Sequence, residues 1–119
     1  MRCVIVDDSP YFLEGAVDLL TREGMDVVGV ASNSAEAIRL VTELRPDVAL
    51  VDIDLGDEDG FELARQLNDL PAASSKVILV STHSEDDLAI LVAASTALGF
   101  IAKARLSAQA IRDTLERAA

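Results

Sequence analysis

Five short apolar runs recur along the chain, separated by longer amphipathic stretches: "CVIV" at residues 3–6, "VVGVA" at 27–31, "VALV" at 48–51, "VILV" at 77–80 and "FIA" at 100–102. The runs are continuous rather than alternating and rich in Val and Ile, the pattern of parallel strands covered on both faces by helices. Between them the period lengthens to that of a helix. Phe12, Leu13, Ala16, Val17, Leu19 and Leu20 share one side of a first helix that Pro10 can open and Gly24 can end. In "NSAEAIRLVTEL", Asn33 and Glu36 have capping-box spacing, Ala37, Ile38, Val41 and Leu44 form the buried stripe, and Pro46 forbids continuation. A third helix runs through Phe61, Leu63, Ala64 and Leu67. A fourth begins near Ser84, and a fifth follows Ser107 with Ala108, Ile111, Leu115 and Ala118 inward. The pattern predicts five βα units building an open α/β sheet.

Composition narrows the function classes. A chain of 119 residues, half of them hydrophobic, is the size of one domain with a real core, so residues 1–119 are read as a single domain. Ten Lys and Arg against 21 Asp and Glu leave a net charge of −11. Such a surface repels polyanions and argues against direct binding of nucleic acid or an anionic membrane. Cys3 has no internal partner and reads as core filling in a protein of the reducing cytoplasm. The N-terminal apolar run is too short for a signal peptide, and the stretch 88–102 is interrupted by Ser95, Thr96 and Gly99, so no membrane span is expected.

The acidic residues are placed where chemistry is possible. In "VALVDIDLGDEDGFE", residues 48–62, a buried strand ends in a carboxylate, Asp52, and the first strand ends in Asp7 and Asp8. Open α/β sheets bind ligands beyond the carboxyl ends of their strands, at the point where strand order reverses. If the first and third strands are neighbours, each carboxylate pair at ~4 Å repels by roughly 4 kcal/mol at an effective dielectric near 20. Raised pKa values or a divalent cation would relieve this, and an all-oxygen donor set suits Mg²⁺ with a phosphate better than zinc. A lone "DD" is more often a turn or helix cap. Two further strand ends change that balance: "VILVS" ends on Ser81 and "GFIAK" on Lys103, adding a hydroxyl and an ammonium to the same rim. Nucleophile, metal seat, neutral donor and cation are the parts that phosphoryl transfer uses.

The stretches "VIVDDSP", "VALVDIDLGDEDGFE", "VILVST" and "GFIAK", in this order and spacing, resemble the CheY-like receiver domain of bacterial response regulators over essentially the whole chain. The resemblance implies a flavodoxin-like five-stranded parallel sheet in the order 2-1-3-4-5. It implies that Asp52 accepts a phosphoryl group from a phosphohistidine on a sensor kinase or phosphotransfer protein. Asp7, Asp8, the Asp52 side chain and the backbone carbonyl of Asp54 would hold Mg²⁺, and Lys103 would pair with the phosphoryl oxygens. Ser81 and Phe100 would be the switch pair, the hydroxyl swinging toward the phosphoryl group as the aromatic turns inward. No enzyme activity beyond the domain's own phosphorylation and dephosphorylation chemistry is implied.

Several positions depart from that pattern or surround it. Ala104 stands where most receivers carry a proline, and a trans Lys103–Ala104 peptide is expected. Thr82, beyond the switch hydroxyl, narrows the approach to Asp52 or simply packs at a strand end. Asp54 and His83 flank the mouth; a pair between them would make the phosphoryl lifetime depend on pH, while a lone exposed histidine is the plainer reading. Asp57, Glu58 and Asp59 are assigned no chemistry. The fourth helix carries one apolar stripe through Leu88, Leu91 and Val92 and a second through Ile90, Ala93, Ala94 and Ala97, either a mildly apolar surface or a docking face for a partner or a homodimer. "SPYFLEG" and the lysine without proline are similar to the regulators whose receiver precedes a helix-turn-helix DNA-binding domain, which would make transcription the output. Two alternatives stand beside this: a Mg²⁺-dependent phosphohydrolase with an aspartyl phosphate, and a degenerate receiver that acts only by binding protein.

Overall fold

The computed structural model describes residues 1–70, 75–82 and 97–118, and over them the strand and helix pattern of the sequence becomes one parallel sheet between two helical layers. The elements are β1 (Arg2–Val6), α1 (Pro10–Arg22), β2 (Asp26–Ala31), α2 (Ser34–Leu44), β3 (Val48–Asp52), the two-residue segments β4 (Asp54–Leu55) and β5 (Glu58–Asp59), α3 (Gly60–Asn68), β6 (Lys76–Ser81), β7 (Gly99–Ala102), a short 3₁₀ turn at Lys103–Arg105 and a C-terminal helix, Ala108–Ala118. The five long strands lie in the order β2-β1-β3-β6-β7, all pairs parallel. Counted over those strands alone, this is the expected 2-1-3-4-5. The antiparallel β4–β5 ladder was not expected and folds the acidic loop back on itself, pairing Asp54 with Asp59 and Leu55 with Glu58.

Alternate residues of each strand feed opposite faces, as the two-residue period of a strand requires. Val4, Val6, Ala49, Val51, Val77, Leu79 and Phe100 join Ala37 and Val41 of α2 and Leu63, Ala64 and Leu67 of α3 in one apolar layer. Cys3, Ile5, Val48, Leu50, Ile78, Val80 and Ile101 join Leu13, Ala16 and Leu20 of α1 and Ala108 and Ile111 of the C-terminal helix in the other. Both faces of β1, β3 and β6 are therefore dry.

Coverage on both faces fails for β2. It lies at the sheet edge, Val27, Val28 and Gly29 are only half-buried and Val30 is 42% exposed. An edge strand has a neighbour on one side only, so an apolar run there does not carry the burial it would have in the centre. The β1–β2 pairing also slips by one residue, from Cys3 opposite Val27 to Val4 opposite Gly29, leaving Val28 as a bulge.

Helix boundaries follow the sequence signals. Pro10 is the first helical residue of α1, the Ser9 hydroxyl accepts the Phe12 amide, and Gly24 at φ +90° lies just past the end. Asn33 caps α2 by accepting the Glu36 amide at 2.9 Å, but Glu36 Oε1 reaches back to the Ser32 amide and the Asn33 side chain rather than to the Asn33 amide, so the capping box is a variant. The fourth helix, with its apolar stripes and Ile90, lies outside the described residues save Ala97, as does His83.

Candidate functional site

Three strand ends bring the predicted chemistry together. β1 stops at Val6, its ladder extended by the Asp7 amide donating to the Ala31 carbonyl. β3 ends on Asp52 beside it, and β7 ends at Ala102 so that Lys103 starts the 3₁₀ turn on the same rim. Asp7 is fully buried, Asp52 is 5% exposed and Asp8 faces solvent. One carboxylate oxygen from each of Asp7, Asp8 and Asp52 can be chosen so that all three lie within 4.8 Å of one another.

Lys103 Nζ sits over this cluster, 2.6 Å from Asp7 Oδ2 and 3.2 Å from Asp52 Oδ2, with its side chain 14% exposed. Asp52 Oδ1 accepts the Asp54 amide at 3.2 Å, and Asp7 Oδ1 accepts the Ser9 amide at 2.8 Å. Burial, followed by the nearby Asp7 carboxylate, pushes the Asp52 carboxyl up to about 6 from an ordinary 3.8, against the opposing pull of the Asp54 amide and Lys103. Burial alone would lower the Lys103 pKa, but the Asp7 and Asp52 carboxylates together outweigh it and hold the ammonium above its ordinary value.

The donor set fits a hard divalent cation. All three groups offer oxygen, and Asp7 Oδ2 is a buried oxygen that accepts no well-angled hydrogen bond among the described residues, its contact with Lys103 being one of charge. One ammonium facing two buried carboxylates leaves an excess of negative charge for such an ion to balance.

The loop after Asp52 is shaped by glycine. A Cβ on Gly60 would lie 2.1 Å from the Asp52 carbonyl oxygen and 2.7 Å from Ile53 Cα, while the Gly60 amide donates to the Ile53 carbonyl at 2.9 Å. Gly56 has φ +66°, and a Cβ there would stand 3.2 Å from Asp8 Oδ2. Two of the acids assigned no chemistry hold this loop: Asp59 caps α3 through the Phe61 amide, and Glu58 accepts the Ser34 amide at the start of α2.

Ser81 is buried at the end of β6, opposite Ala102, and Phe100 is 8% exposed in the core. Thr82 is exposed, Asp54 is exposed at the site's mouth, and the Lys103–Ala104 peptide is trans. His83, read as a lone exposed histidine or as a partner of Asp54, lies outside the described residues. Sequence reasoning missed Phe12, whose ring centroid lies 4.2 Å from Lys103 Nζ. The helical period places it in the core stripe of α1, against which it does pack, and only its place one turn after "DD" points to the rim as well.

Comparison with known proteins agrees with this fold. The family model described as the response regulator receiver domain matches residues 3–116. The DNA-binding transcriptional activator DevR/DosR of Mycobacterium tuberculosis is 39% identical over 106 residues, covering 87% of this chain and 48% of its own. The chemotaxis protein CheY of Thermotoga maritima is 28% identical over 102 residues, covering 86% and 84%. The signal receiver domain of NarL from Mycobacterium tuberculosis superposes with a TM-score of 0.82 at 32% identity, covering 98% of this chain and 94% of that one. The chain spans about half the length of the transcriptional regulators it matches. Receiver domains are in the main non-enzymatic regulators whose phosphorylation controls output domains. With its fold, its acidic rim and a family match over nearly its whole length, this chain belongs to the response regulator receiver domains.

Proposed function

We propose that residues 1–119 form one receiver domain in which Asp52 accepts a phosphoryl group in a Mg²⁺-dependent reaction. The observation that carries this reading is the convergence of Asp7, Asp8 and Asp52 beneath the Lys103 ammonium. Asp52 Oδ attacks phosphorus, the P–N bond to a donor phosphohistidine breaks, and the imidazole of a sensor kinase or phosphotransfer protein leaves with its electron pair and takes up a proton. Asp7, Asp8, the Asp52 side chain and the Asp54 carbonyl would hold Mg²⁺, which when bound supplies positive charge against the phosphoryl oxygens. Lys103, already between two carboxylates, neutralises the charge that the new phosphoryl group adds. Asp52 is aimed by its place in a buried strand and by the Asp54 amide, which favours a single orientation of the nucleophile.

The added charge then draws the Ser81 hydroxyl toward the phosphoryl group and favours the inward position of Phe100, which is the buried one here, and a partner reads the changed surface. The output is transcription, through a DNA-binding region outside these residues, as in DevR/DosR, with the acidic receiver itself making no contact with nucleic acid. The domain works in the cytoplasm; among the described residues no helix is long and apolar enough to cross a membrane. Incubation with acetyl phosphate and Mg²⁺ followed by mass spectrometry tests the reading. The wild-type chain should gain the mass of one phosphoryl group, Asp52→Asn none, and omission of Mg²⁺ should abolish the gain. Equal labelling of both chains would refute Asp52 as acceptor.

A further inference from the structure

The Lys103 ammonium is enclosed on three sides. Asp7 Oδ2 and Asp52 Oδ2 take two of them, and the ring of Phe12 covers a third at 4.2 Å from its centroid. A lysine ammonium is a compact charge on a flexible four-carbon stem, and nothing in the stem itself selects one direction. An aromatic face attracts such a cation and keeps water from it.

The ring is fixed by the same turn that builds the acidic site. Asp7 Oδ1 accepts the Ser9 amide, the Ser9 hydroxyl accepts the Phe12 amide at 3.3 Å, and Pro10 sets the first helical dihedral between them. From Phe12 the contacts return through Lys103 to Asp7. Six residues, "DDSPYF", thus close a circuit in which carboxylate, helix cap, ring and ammonium determine one another's positions.

We propose that Phe12 is a positioning residue for Lys103, its ring holding the ammonium between the Asp7 and Asp52 carboxylates and aimed at the phosphoryl oxygens arriving on Asp52. The aim at phosphoryl oxygens rests on the acceptor reading given above. A ring that merely fills core space is replaceable by leucine, which is apolar and of similar reach but has no charged face to offer a cation.

The test compares wild type, Phe12→Leu and Phe12→Tyr in two measurements. The first is the initial rate of Asp52 phosphorylation by phosphoramidate at saturating Mg²⁺. Phe12→Leu should be about two- to thirty-fold slower, the range expected for a partly shielded cation–ring pair. Phe12→Tyr should restore the rate, and the melting temperatures of all three should stay close. The second measurement is the Lys103 ammonium proton resonance in the metal-free chain, which should be shifted upfield by the ring in wild type and Phe12→Tyr and should lose that shift in Phe12→Leu. A wild-type rate in Phe12→Leu, or an equal loss in Leu and Tyr variants, overturns the proposal. If the wild-type chain takes up no phosphoryl group, the acceptor reading fails instead, and the resonance alone decides the role of Phe12: an unchanged shift in Phe12→Leu removes it.

Discussion

Asp52 meets two opposed demands. As the proposed nucleophile it must be ionised, yet burial and the neighbouring Asp7 raise its pKa to about 6, so that without a metal it is partly protonated in mildly acidic solution. The folded chain then holds this proton more tightly than the unfolded chain, whose value is near 3.8. Protonation therefore favours the fold: that benefit is complete below the unfolded value and is lost as pH rises through about 6. Metal-free wild type should lose on the order of 1–3 kcal/mol of stability from this group between pH 4 and pH 7, and Asp52→Asn should be the more stable chain at neutral pH with a flatter profile. Urea denaturation of both chains across that range measures it. Cys3 is shifted by the same two causes: burial first, with Asp26 adding to it, pushes its thiol up to about 11, so it stays protonated and inert as core filling.

At the scale of elements, the β3–α3 connection is the most constrained part of the rim. Gly60 opens α3 with the Asp52 carbonyl where its own side chain would have to be. Gly60→Ala should force the loop off Asp52, lowering stability by about 2 kcal/mol or more and slowing phosphorylation, as read by melting and by labelling of the same preparation. Asp59→Ala removes the α3 cap and should cost about 1 kcal/mol in denaturant melts while leaving the acceptor in place. The elements themselves were readable because each signal was local: Pro10 and Gly24 around α1, Asn33 before α2, Pro46 after it, and Val- and Ile-rich runs for the strands. Contacts between distant segments were not. Nothing in the spacing of Glu58 and Ser34, or of Glu23 and the Ala108 amide that it accepts at 2.7 Å, marks them as partners. The exposure of β2 was missed for a similar reason, since a strand's rank in the sheet is a property of the whole order and not of its residues.

Over the whole molecule, the candidate site was legible to the extent that topology places strand ends on one rim. Asp7, Asp8, Asp52 and Lys103 follow from that alone, whereas Phe12 required knowing how α1 lies against the turn after β7. A net charge of −11 means that any salt will ease general self-repulsion, so a specific cation site must be distinguished from screening. Mg²⁺ should raise the melting temperature more than NaCl of equal ionic strength, equivalent to about 2.7 kcal/mol at roughly 100 times its Kd, and the excess should vanish in Asp8→Ala. Calorimetric melts of the two chains in both salts provide the check.

The bulge at Val28 has a consequence for solubility. Among the described residues β2 pairs with a strand on one side only, leaving a row of backbone donors and acceptors along the sheet edge on which a strand from another molecule could build. The extra residue breaks the regular spacing of that row midway, so an incoming strand would find matching partners for only part of its length, which disfavours fibril-like stacking on this edge.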